Sequence, residues 1–103
     1  MENGRYYIGT DMKFQVTLTA EGFNQGSDRY DLDFYCGDQV RHFTQNDIVT
    51  DGEGNYYLLV PTTGLTPGMM RLVVTVYVPD TDFSNNVRRE VESIVIGPLR
   101  PAI

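Results

Sequence analysis

TTGLTPGMMRLVVTVYVPD, Thr62–Asp80, sets a glycine–proline bend directly before one of the longest apolar runs in the chain. Met70, Leu72, Val74, Val76 and Val78 recur at every second position, the period of a strand with one face turned to a core. Proline has no N–H to give a ladder, so Pro61 is expected to close the segment before the bend and Pro79 the strand after it. Between them Gly64, Pro67 and Gly68 permit a sharp change of direction around Leu65. A hairpin usually closes with about two to five residues, and this bend is longer. It suits a chain that leaves one sheet for a facing one, with Leu65 pinned inside the corner.

The same period runs through MKFQVTLTA, where Met12, Phe14, Val16, Leu18 and Ala20 share one face and Lys13, Gln15, Thr17 and Thr19 the other. A one-residue slip would expose four large apolar side chains, each worth about 1.5–3 kcal/mol when buried. That loss rivals the stability of a typical domain, about 5–15 kcal/mol, so the register is fixed. RYDLDFYCG alternates as well, with Tyr30, Leu32, Phe34 and Cys36 against Asp31, Asp33 and Tyr35. A Gly37-Asp38 turn leads to the short strand QVRHFT, and a further segment lies around Ile48 and Val49. The turn DGEGN introduces YYLLVP, with Tyr56, Leu58 and Val60 on one side and Tyr57 and Leu59 on the other.

The last candidate strand, VRREVESIVI, breaks its own alternation. Val87 and Val91 share one parity, Ile94 and Ile96 the other, and a β-bulge near Glu92 and Ser93 would restore a single face. The tail GPLRPAI is expected to be extended. Seven short antiparallel strands predict an all-β, immunoglobulin-like β-sandwich, a single domain over residues 1–103 with short extended termini. A small β-barrel is the alternative.

Composition narrows the function classes. With 103 residues the chain forms one core, and 41% hydrophobic with 21% charged residues is ordinary for a globular protein. A net charge of −6 disfavours nucleic acid and anionic membrane surfaces as partners. The single cysteine permits no internal disulfide, as in a reducing compartment. The start, MENGRYYIGTDMKF, lacks the basic and apolar regions of a signal peptide, so the expected location is the cytoplasm or a virion. No apolar run is long enough to span a membrane as a helix.

No chemical constellation stands out. His42, the one histidine, has no nucleophile placed with it by a local motif, and Cys36 carries the apolar parity of its strand. Asp80–Asn86, DTDFSNN, offers oxygen ligands at alternating positions. An EF-hand loop would need glycine sixth and glutamate twelfth, where Asn85 and Val91 stand, so a polar hairpin is the better reading. DGEGN at Asp51–Asn55 is acidic too, and is read as a turn. Asp31 and Asp33 are about 7 Å apart by strand rise, as glycosidase carboxylates can be, but here they read as solvated face charge. No catalytic, cofactor or metal residue is therefore assigned. Seven tyrosines and five phenylalanines exceed what one sandwich core needs. Tyr35, Tyr57 and Tyr77, with Val73, fall on outward parities and form the candidate interface.

GTDMKFQVTLTAEGFN and TTGLTPGMMRLVVTVYVPDTDF, with VRREVESI after it, resemble small immunoglobulin-like structural proteins of phages and prophages of gut bacteria. More loosely they are similar to the N-terminal domain of phage baseplate upper proteins. The resemblance rests on a short F-x-V-x-L strand, here Phe14, Val16 and Leu18, and a G-L-x-P-G corner, here Gly64, Leu65, Pro67 and Gly68. Those baseplate proteins usually carry further domains after this one, where this chain stops, a departure that counts against a receptor-binding role and leaves virion assembly as the expectation. The expected function is non-enzymatic: a virion or prophage structural protein whose partners are other virion or tail proteins, or copies of itself. The alternative is a module that binds carbohydrate or a cell surface, with a groove of stacked tyrosines.

Overall fold

The computed structural model describes residues 6–103; the extended residues expected before Tyr6 lie outside them. Eight strands follow in order: β1 (Tyr6–Tyr7), β2 (Asp11–Gln15), β3 (Tyr30–Cys36), β4 (Gln39–Thr44), β5 (Val49–Thr50), β6 (Tyr56–Pro61), β7 (Gly68–Pro79) and β8 (Val87–Arg100). A 3₁₀ turn, Gln45–Asp47, separates β4 from β5, with Thr44 and Asp47 capping it reciprocally. The strands form two sheets, one of five in the order β1-β8-β7-β3-β4 and one of three in the order β2-β6-β5. This is the expected all-β sandwich, with one refinement. The large sheet is mixed, because β1 lies parallel to β8 through Tyr6–Leu99 and Tyr7–Arg100. A two-residue strand is too short to show a period, which is why the sequence pattern misses it.

The Thr62–Pro67 bend carries the chain from β6 in the small sheet to β7 in the large one, as the sequence predicts. Leu65 is buried within it. Thr62, also buried, donates its hydroxyl to the Thr10 carbonyl at 2.8 Å and accepts the Gly9 N–H at 2.8 Å. From β4, Arg41 donates to the carbonyls of Pro61 and Thr63, and Gln39 Oε1 accepts the Thr66 N–H at 2.7 Å. Gly68 sits where a Cβ would come within 2.9 Å of the Gly37 nitrogen, so two backbones touch with no room for a side chain. Gly64 takes φ +92°, a conformation that costs other residues about 1–2 kcal/mol.

Between the sheets, Leu32, Phe34, Leu58, Val60, Met70 and Val78 are fully enclosed. The β7 alternation holds throughout: its even positions from Met70 to Val78 are buried. The β2 ladder runs from Asp11 to Gln15, with one more bond from the Val16 N–H to the Tyr56 carbonyl at 2.8 Å where its partner β6 begins, and so ends well short of the expected Ala20. The alternation itself continues. Val16 is buried and Leu18 and Ala20 pack against the core, while the Gln25 side chain bonds the Val16 carbonyl and the Leu18 N–H in place of a strand.

The bulge expected near Glu92 and Ser93 is not there. Pairing of β8 with β7 is unbroken from Val87 opposite Pro79 to Val95 opposite Arg71. The register then jumps to Gly97 opposite Met70, so Ile96 is the extra residue. Past that point the inward parity switches from even to odd, and Leu99 is buried. The reason lies in the cover. Residues 89–95 are exposed on both faces, unlike Ile96 and Leu99, so no parity there has to be apolar. The tail, expected as a separate extended segment, continues β8 as far as Arg100.

Candidate functional site

Antiparallel partners point to the same face, so the registers give the outer surface of the large sheet directly. Val40, Tyr35, Arg71 and Val95 form one cross-strand row, and His42, Asp33, Val73 and Ser93 the next. Thr44, Asp31, Thr75 and Val91 form a third, and Tyr77 lies opposite Arg89 beyond it. Three of the four sequence candidates, Tyr35, Val73 and Tyr77, therefore share one face. Tyr57 does not join them. It belongs to β6 on the outer face of the small sheet, where the Lys13 ammonium lies 4.6 Å from its ring centre. One groove built from Tyr57 and Tyr77 is thus ruled out by placement.

The outward tyrosines are half-buried and stacked. The Arg71 guanidinium lies 4.7 Å from the Tyr35 ring centre, and that of Arg29 lies 4.2 Å from the Tyr77 ring centre. Tyr77 also donates its hydroxyl to Asp31 Oδ2 at 3.1 Å, while Arg29 donates to the same oxygen at 3.0 Å. Asp33 bonds His42 Nδ1 at 2.5 Å, and this hydrogen bond raises the histidine pKa above its ordinary value. Asp31 and Asp33 each answer to a separate set of partners. Cys36 points into the core, where burial pushes its thiol pKa up, and so lies on the face opposite His42. Thiol and imidazole are kept apart by the sheet itself.

In the two acidic loops the carboxylates serve the backbone. Asp51 accepts the Glu53 N–H at 2.8 Å and the Asn55 side-chain amide at 2.8 Å, and the bond from the Asn55 side chain leads in lowering its pKa. Asp80 accepts the Asp82 N–H at 3.0 Å and is paired with Arg88; its pKa is lowered by both, the backbone bond foremost. Among the described residues no three His, Cys, Asp or Glu side chains converge as a metal site would require.

Two features escaped sequence reasoning. One is the edge of β8. Among the described residues nothing pairs with its second side between Val87 and Pro98, and Val91, Ile94 and Val95 are 63%, 50% and 68% exposed. Its broken alternation was the signal. The other is an open groove of about 630 Å³ where the β7–β8 hairpin turns, between Tyr77 and Phe83, with Arg29, Asn85 and Arg89 on its walls. The unused signal there was a phenylalanine inside the polar DTDFSNN loop. The chain matches none of the family models, curated proteins or solved structures with which it was compared.

Proposed function

We propose that this chain is a non-enzymatic structural protein of a virion or prophage, an immunoglobulin-like module that joins neighbouring subunits along the β8 edge and the adjoining outer face of the large sheet. The observation that carries this reading is the stretch Arg89–Val95, exposed on both faces and bordered on one side by β7 alone among the described residues. An unpaired edge presents a row of N–H and C=O groups ready to add a strand. Covering the exposed parts of Val91, Ile94 and Val95 would contribute roughly 3–5 kcal/mol. Association costs about 4–15 kcal/mol, so backbone pairing along the edge has to supply the surplus. The F-x-V-x-L strand and the G-L-x-P-G corner support the phage setting.

Sedimentation of the pure protein, alone and mixed with tail or capsid proteins, tests the reading. The expected result is an oligomer or a mixed complex. A strict monomer at high concentration that also binds none of those proteins would overturn it.

A further inference from the structure

The groove beside the β7–β8 hairpin presents two side chains, Phe83 and Arg89, that lie outside the core and outside the ion pairs among the described residues. Its loop is locked from within: the Asp80 N–H bonds the Asn86 carbonyl at 2.9 Å and the Asn86 N–H bonds the Phe83 carbonyl at 2.8 Å. Arg88 pairs with Asp80, and Asn86 holds φ at 59°, which few residues other than glycine adopt. This fixed loop displays Phe83 at 48% exposure. The other phenylalanines all lie in the core or against it: Phe34 inside, Phe14, Phe23 and Phe43 packed on its margin. Across the groove the Tyr77 ring is held by its bond to Asp31 and by the Arg29 stack. Arg89 shares the face of Tyr77 and takes no part in an ion pair among the described residues. Among the described residues no carboxylate lines the groove, although acidic residues outnumber basic ones 14 to 8 in the chain.

A guanidinium fork matches a carboxylate with two parallel hydrogen bonds. An exposed aromatic face holds the C–H side of a sugar ring by dispersion, and Ser84 and Asn85 supply donors and acceptors for hydroxyls. The volume falls within the range of small-ligand sites, about 300–1,000 Å³. We propose that this groove binds an acidic sugar, its ring against Phe83 beside Tyr77, its carboxylate on Arg89 with Arg29 in support, and its hydroxyls at Ser84 and Asn85. The site shares Arg89 and Tyr77 with the outer face proposed above for subunit contact, and a substitution at Val91, which belongs to that contact and not to the groove, separates the two.

Calorimetric titration of the full chain with trigalacturonate and with N-acetylneuraminic acid tests this, with neutral galactotriose as control. At least one acidic sugar should bind saturably with a Kd of about 1 mM or tighter, and galactotriose at least about tenfold more weakly. Arg89→Ala and Phe83→Ala should each weaken binding about tenfold, with thermal melting as the check on folding. Arg89→Lys, which keeps the charge and loses the fork, should weaken it severalfold. Val91→Lys, on the β8 edge, should leave it unchanged. No saturable binding of either acidic sugar up to about 10 mM, equal affinity for the neutral sugar, full affinity in the folded Arg89 and Phe83 variants, or loss of binding in Val91→Lys would each overturn the proposal.

Discussion

The Thr62–Gly68 corner, which joins the two sheets, and the β8 segment Arg89–Val95 of the large sheet are satisfied in opposite ways. At the corner nearly every group is answered from inside the molecule: Leu65 by the core, Thr62 by two backbone partners, and the turning carbonyls by Arg41 and Gln39. Along Arg89–Val95 one row of backbone groups pairs with β7, nothing among the described residues pairs with the other row, and both faces are exposed. The contrast separates residues that the fold requires from residues it merely carries. Substitutions at the first region should cost stability and leave association intact, and substitutions at the second should do the reverse.

Leu65→Ala should show the largest effect, a loss of about 2–5 kcal/mol in urea unfolding, because it empties the corner. A loss under about 1 kcal/mol would mean that the corner is not held by its apolar anchor. Gly68→Ala follows at about 1–3 kcal/mol, since the new methyl meets the Gly37 backbone and not the end of a flexible side chain. On β8, Val91→Lys and Val95→Lys should each change stability by no more than about 0.5 kcal/mol. Both should abolish the association measured by sedimentation, and a large drop in the urea midpoint instead would assign β8 to the core.

The smallest expected effect is a pH dependence on the outer face. The bond from Asp33 raises the His42 pKa in the folded state, so folding favours the protonated imidazole. The stability this adds is complete below the unfolded histidine pKa and is lost as pH rises through the raised folded value. The difference in urea midpoint between the wild type and His42→Gln should therefore be larger near about pH 5 than near about pH 8. An equal difference at both would show that the pair holds no charge-dependent energy.

The legibility of the sequence follows the same contrast. β3 and β7, and the segment from Met12 to Ala20, were readable because one face of each is buried and the other is not, so apolar residues had to alternate. β8 was not, because no constraint of that kind acts on residues 89–95; the need for a bulge was visible, and its position at Ile96 was not. Parity also told that Tyr57 and Tyr77 point outward without telling that they point away from two different sheets. That distinction depends on which strands pair, information a two-residue period does not carry. The groove was hidden for a related reason: Arg29, Tyr77, Phe83 and Arg89 come from separate segments and meet only once β7 and β8 have closed their hairpin.

The margin of β8 left unpaired among the described residues reads, from the hairpin onward, Arg88 and Arg89, then Glu90 and Glu92 with Val91 between them, then Ser93, Ile94 and Val95. That order is not a palindrome. A segment laid beside it in one sense meets cation, anion and grease in turn, and laid in the opposite sense meets them backwards. For the strand addition proposed above, that order supplies a direction, since the head and the tail of an added strand meet different side chains.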